Sequence, residues 1–109
     1  MSTPKEIIEN KIVAALQNHP DLVKKINALY RLDLSGTNGG TWMIDTREST
    51  CGVRQTDEKG DCTIAMTDEN FVGLVKGTLN PMMAFTLGKI KATDVGLAMK
   101  LGQLLAKAK

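Results

Sequence analysis

From Val95 onward the chain writes a helix that is apolar over too much of its surface. Lys100, Gln103 and Lys107 fall at i, i+3 and i+7 and share one narrow stripe. Beside it Leu97, Leu101, Leu104, Leu105 and Ala108 make a bulky apolar face. Val95, Ala98, Met99, Gly102 and Ala106 make a second face, also without charge. The uncharged arc is roughly twice the ~100° stripe that a surface helix needs against one core. Two arrangements absorb such a helix: it packs between two neighbours, or one face meets the core while the other meets a ligand. The preceding segment favours the second, because Met82, Met83, Phe85, Leu87 and Ile90 crowd a stretch too short to bury them all on one sheet. Methionine-rich surfaces adapt to partners of varied shape.

The rest of the chain predicts the layer beneath. Thr3-Pro4-Lys5-Glu6 reads as a capping box with Pro4 at the first helical position. Ile8, Ile12, Ala15 and Leu16 then recur on one helical face until His19-Pro20 ends the helix. This capped, charged-and-apolar helix is expected to assist membrane contact. From Ile26 to Leu34 the period changes to two, with Ile26, Ala28, Tyr30, Leu32 and Leu34 on one side, which predicts a strand with one buried face. Ser35 to Gly40 forms a hairpin loop, and a return strand follows over Thr41–Thr46 with Trp42 and Ile44 inward and Asp45 outward. A weaker edge strand is expected over Thr50–Arg54, and a fourth from Cys62, with Ile64 and Met66 also inward. Thr67-Asp68-Glu69 opens a helix carrying Phe71, Leu74 and Val75, which Gly77 closes. Asn80-Pro81 caps a short helix over Met82–Leu87 that ends at Gly88. A last strand over Lys89–Thr93 leads to Asp94, the cap of the final helix. The predicted fold is a two-layer α/β sandwich, a five-stranded, mostly antiparallel sheet with helices covering one face, in one domain spanning residues 1–109.

Composition removes several function classes. With 4% aromatic residues and six methionines, the interior is aliphatic and thioether, and so deformable. A net charge of +2 spread along the chain, with few aromatics to stack on bases, does not make a nucleic-acid surface. Residues 1–20 interleave charge with apolar residues, unlike a secretory leader, and no apolar run reaches the ~18 residues of a spanning helix. Cys51 and Cys62 are therefore expected as free thiols in an intracellular compartment, with a disulfide between them left open. Nothing resembles a catalytic constellation. His19 sits alone at a helix end, Cys51 lies in an edge strand without a nearby His, and Cys62 reads as a small buried hydrophobe. Asp45 and Asp61 read as surface or turn carboxylates. No Cys/His ligand cluster and no phosphate loop is present, so neither a metal, a cofactor nor an intrinsic enzyme activity is expected.

Lys24-Lys25-Ile26, Thr41-Trp42-Met43-Ile44-Asp45, Asp61-Cys62-Thr63-Ile64-Ala65-Met66, Asn80-Pro81-Met82-Met83-Ala84-Phe85, Gly88-Lys89-Ile90-Lys91 and Gly96-Leu97-Ala98-Met99-Lys100-Leu101 follow one another in the order and spacing of the sterol carrier protein 2 family. The chain resembles that family from about Lys5 to Leu105. The resemblance implies an apolar tunnel between the sheet and the C-terminal helices that takes fatty acids, fatty acyl-CoA, phospholipids and sterols and passes them between membranes. It implies a peroxisomal address, and a monomer with transient membrane contact is expected. Here, however, the chain stops at Lys107-Ala108-Lys109 in place of an Ala-Lys-Leu or Ser-Lys-Leu terminus, which leaves a cytoplasmic location open. Thr86 and Leu87 stand where a typical member has a second aromatic and a Gln, which implies a more apolar mouth. On the surplus-surface argument the expected lining is Phe71, Leu74, Val75, Met82, Met83, Phe85, Ile90, Leu97, Met99, Leu101, Leu104 and Leu105. The competing reading is a non-catalytic accessory module whose apolar surface packs on a partner enzyme or domain.

Overall fold

The computed structural model describes residues 3–107, so Ala108 of the predicted apolar face and Lys109 lie outside the described residues. Five strands, β1 (Leu29–Ser35), β2 (Gly40–Asp45), β3 (Gly52–Arg54), β4 (Cys62–Thr67) and β5 (Lys91–Ala92), form one sheet in the order β3-β2-β1-β4-β5. Three of the pairings are antiparallel, and the central β1–β4 pair is parallel. Register puts the apolar alternates in line: Leu32 faces Trp42 on one side and Ile64 on the other, and Tyr30 faces Ile44 and Cys62. A residue at every second position points to the same side, so these side chains make one continuous apolar floor. The helices bury their side chains in the same cluster, which gives the expected two layers.

At the N-terminus Thr3 Oγ1 accepts the Glu6 backbone N–H at 3.3 Å and Pro4 takes the first helical position. The helix runs as α1 (Pro4–Glu6), a π-helical middle (Ile7–Ile12) and α2 (Val13–Asn18), with Ile7, Ile8, Ile12, Ala15 and Leu16 all buried. His19-Pro20 proves to be a joint as well as a stop. Pro20, whose missing N–H is no loss in a first turn, begins α3 (Pro20–Ile26), which ends at Asn27 in the left-handed region with φ 43°. The first strand therefore starts at Leu29, three residues later than the alternation from Ile26 suggests.

Asp45 also departs from expectation. It is fully buried, because Arg47 and Arg54 reach it from the neighbouring turn and strand, at 2.9 and 3.3 Å to Oδ2. Burial works against its ionisation, but the hydrogen bonds from Arg47, Thr50 and Arg54 outweigh it and hold the carboxyl well below the usual carboxylate range. Arg31 carries the outer face in a similar way, bonded to Asp33, Asp57 and the Glu58 carbonyl oxygen.

The C-terminal half supplies α4 (Asp68–Lys76), α5 (Pro81–Thr86) and α6 (Val95–Ala106), each with a side-chain cap. Thr67 Oγ1 accepts from Asn70 N–H, Asn80 Oδ1 from the Met82 and Met83 N–H groups, and Asp94 Oδ1 from Leu97 N–H. Such caps satisfy the donors that a helix start leaves orphaned. Gly77 (φ 82°) and Gly88 (φ 75°) take the left-handed turns on either side of α5.

Candidate binding cavity

Between the sheet and α4, α5 and α6 lies a cavity of about 380 Å³. Its floor is Leu32 of β1 with Ile64 and Met66 of β4. Leu74 closes one side. Leu79, Asn80 and Pro81 lead into α5, which contributes Phe85, and Ile90 follows it. The roof is α6, through Ala98, Leu101, Gly102, Leu105 and Ala106. Thr78 and Asn80 are the polar side chains on the wall, and the Asn80 oxygen is already engaged by the first turn of α5.

Two polar contacts from the sheet seat the roof. Tyr30, fully buried on β1, donates its hydroxyl to the Leu97 carbonyl oxygen at 2.6 Å, and the Cys62 thiol lies 3.4 Å from the carbonyl oxygen of Asp94. Burial pushes the Tyr30 phenol well above its ordinary value, and the nearby Cys62, Asp94 and Asp61 act in the same direction. The first turn of α6 is thus held against the sheet. The following turns divide their side chains: Leu104 enters the core, while Leu101 and Leu105 border both core and cavity. At Gly102 a Cβ would meet nothing within 4 Å. A glycine in mid-helix at this point leaves room for a guest.

Of the residues singled out from sequence, Leu74, Phe85, Ile90, Leu101 and Leu105 stand on the cavity wall. The others do not. Phe71 and Val75, one helical turn apart, occupy the stripe of α4 that packs into the core, and Leu104 does the same on α6; all three are fully buried there. Leu97 is half-buried against the core and presents its carbonyl to Tyr30. Met82, Met83 and Met99 are exposed. A six-residue helix has one inward position per turn, and in α5 Ala84 takes it, which turns its two methionines away. The floor residues Leu32, Ile64 and Met66 belong to the cavity although surplus-surface reasoning omits them, and their signal was the period-two pattern itself. Ala98, Gly102 and Ala106 carried a signal as members of the second uncharged face of the final helix, whereas Leu79 gave none.

Among the described residues, no group of three or more His, Cys, Asp or Glu side chains is placed to hold a metal ion, and no helix is long and apolar enough to cross a membrane. Cys51 is exposed and Cys62 buried, both as free thiols.

The SCP-2 sterol transfer family matches residues 9–106. This chain belongs to that family. It is 41% identical over 87 residues to human sterol carrier protein 2, a match covering 75% of this chain but only 16% of the human protein. The chain is thus similar to a small part of the curated relatives it matches. Among solved structures it is similar to sterol carrier protein domain 2 of Helicoverpa armigera, at 36% identity with a TM-score of 0.73, covering 94% of this chain and 83% of that one. Sterol carrier protein 2 of Aedes aegypti, solved in complex with the C16 fatty acid palmitate, shares the fold at 20% identity with a TM-score of 0.79, each chain covered fully. The α/β sandwich described above is the fold of these SCP-2 structures.

Proposed function

We propose that this SCP-2 family chain is a non-catalytic carrier that holds one lipid with its acyl chain or ring system in the cavity under α6. The observation that carries the reading is the cavity itself. At about 380 Å³ it lies within the ~300–1,000 Å³ range of small-molecule sites, and its walls are mainly aliphatic and thioether, with Phe85 the aromatic and Thr78 and Asn80 the polar side chains. Burying a methylene group gains ~0.8 kcal/mol, so an acyl chain of about fifteen carbons gains ~12 kcal/mol gross. Association costs several kcal/mol of that, and the remainder supports roughly micromolar or tighter binding without a specific hydrogen bond. Fatty acids, acyl-CoA, phospholipids and sterols are the expected ligands, with little head-group selectivity. The palmitate held by the Aedes aegypti protein supports the fatty acid in particular. The carrier acts as a single monomeric domain, needs no cofactor, and works in an intracellular setting, peroxisomal or cytoplasmic, with transient membrane contact.

Displacement of a fluorescent fatty acid by unlabelled lipids tests the reading, and micromolar or tighter binding is expected. A protein that takes up no acyl chain longer than about ten carbons would defeat it. The share of human sterol carrier protein 2 that this chain matches, 16%, favours a second reading as a module within larger proteins. Native mass spectrometry separates the two: co-purifying lipid supports the carrier, whereas a lipid-free protein that takes up none supports the module.

A further inference from the structure

The methionines among the described residues stand in three settings. Met82, Met83 and Met99 are exposed on α5 and α6, away from the cavity wall. Met43 is fully buried on the sheet and is not on that wall either. Met66 of β4 is buried too, at 7% exposed, but it stands on the cavity wall, where it carries the one sulfur atom among the lining side chains. Neither thiol competes with it there. Cys62 lies against the Asp94 carbonyl oxygen and off the wall, and Cys51 is out on the surface. Partial burial, and then the charge of Asp45, push the Cys51 thiol up and away from its reactive thiolate form.

A thioether reduces a peroxide and becomes a sulfoxide in doing so. A small peroxide in water meets the exposed methionines first. A peroxide carried by the guest itself meets Met66, because the acyl chain lies against the floor of Leu32, Ile64 and Met66. Holding the two groups together turns a chance encounter into an effectively unimolecular step.

We propose that Met66 reduces lipid hydroperoxides, acyl chains bearing an –OOH group, that enter the cavity as guests. The proposal rests on the carrier reading, which seats the acyl chain there. A lone pair of the sulfur takes the terminal peroxide oxygen; the O–O bond breaks and an S=O bond forms. The peroxide hydrogen passes to the oxygen left on the chain. Met66 is thereby oxidised to its sulfoxide and the hydroperoxide is reduced to an alcohol, once per protein. The sulfoxide oxygen is then a polar atom in an apolar wall. The Thr78 hydroxyl is already donated to the Gly73 carbonyl oxygen at 3.3 Å, so the Asn80 amide is the one side-chain donor left on the wall to meet it. The oxidised cavity therefore holds acyl chains less well, and a spent protein refills poorly.

Peptide mapping by mass spectrometry, on the full chain treated with equimolar linoleic acid hydroperoxide, tests this. Sulfoxide is expected at Met66 before Met82, Met83 or Met99, with alcohol formed in step with Met66 oxidation. Hydrogen peroxide at the same concentration is expected to reverse that order, and bound palmitate to shield Met66 from it. Met66 should be oxidised about tenfold or more faster by the lipid hydroperoxide than by hydrogen peroxide. Met66→Leu should abolish alcohol formation, whereas the combined Met82→Leu, Met83→Leu and Met99→Leu variant should form alcohol as the parent does. Affinity of the Met66-oxidised protein for palmitate is expected to fall about tenfold or more. Equal rates at Met66 with the two peroxides, or exposed methionines oxidised first by both, would overturn the proposal and leave Met66 as packing alone. Alcohol formed by Met66→Leu but not by Cys51→Ser would overturn it in favour of the thiol. Displacement titration of the parent with unoxidised linoleic acid separates the two readings. Uptake without Met66 oxidation defeats this proposal alone, and no uptake defeats the carrier reading with it.

Discussion

The Tyr30 hydroxyl and the Leu97 carbonyl oxygen, 67 residues apart in sequence, are 2.6 Å apart across the interface of sheet and roof. Tyr30→Phe removes only the donor and is expected to lower unfolding free energy by about 1 kcal/mol in urea titrations at neutral pH. Linkage extends the test. The folded protein keeps the phenol protonated where an unfolded chain begins to lose its proton, near the ordinary value of about 10. The stabilisation is therefore complete below that pH and drains away as pH rises above it. The Phe variant should show a shallower alkaline decline; equal stability and an identical alkaline slope would refute this role.

Asp45 has the opposite sign. Its carboxyl is held below its ordinary range, so its contribution is present above the unfolded value of about 3.9 and is lost as pH falls through that value toward the folded one. Removing both arginines, Arg47→Ala with Arg54→Ala, strands a buried carboxylate and is expected to cost about 3 kcal/mol. Asp45→Asn leaves two half-exposed guanidinium groups that water can solvate, and should cost less, with a flatter acid limb. Denaturant midpoints from neutral pH down to about pH 3 decide it, and an asparagine variant less stable at neutral pH than the double arginine variant would contradict the account.

Gly102→Leu separates binding from folding. Replacing a mid-helix glycine with a good helix former is favourable by up to about 1 kcal/mol, and a side chain here meets open cavity in place of protein atoms. Stability is expected to hold or rise while affinity for a sixteen-carbon fatty acid falls tenfold or more, a change of about 1.4 kcal/mol. Unchanged affinity in a variant of normal stability would place the acyl chain elsewhere.

How much of this was readable in advance depended on whether one element could decide the matter. Alternation alone marked Tyr30, Leu32, Trp42, Ile44, Ile64 and Met66 as inward, and the structure has them so. Capping residues marked the starts of α4, α5 and α6 for the same reason, since a cap acts within one turn. The failures needed a second element. Pro20 looks like a stop because its other role, as first residue of α3, depends on the helix that follows. Asp45 looks outward until the turn after it delivers Arg47 and β3 delivers Arg54. Phe71, Val75 and Leu104 are as apolar as Leu74 and Leu101, and only the packing of α4 and α6 on the sheet sets the first group wholly in the core and brings the second to the cavity wall.

Asn80→Ala removes the acceptor for two N–H groups at the start of α5 and is expected to cost that helix about 1 kcal/mol. Because α5 contributes to the interior only Ala84 and half-buried Phe85, the loss should appear locally. Hydrogen exchange at the Ala84 and Leu87 amides, both bonded within α5, is expected to quicken about fivefold while the global urea midpoint hardly moves. A midpoint that falls by the full amount, with uniform exchange, would show that α5 unfolds only with everything else.

The left-handed turns at Gly77 and Gly88 bracket this short helix, and it is the least deeply anchored part of the cavity's frame. Seen as kinetics, the arrangement assigns two clocks to two regions. How long a guest stays would then be set by local opening of the six residues of α5, Ala84 the buried one among them, while how long the fold survives would be set by the sheet and the packed N-terminal helix. Residence time can then drift under selection, through Asn80 or Phe85, at little cost to the lifetime of the protein that carries the guest.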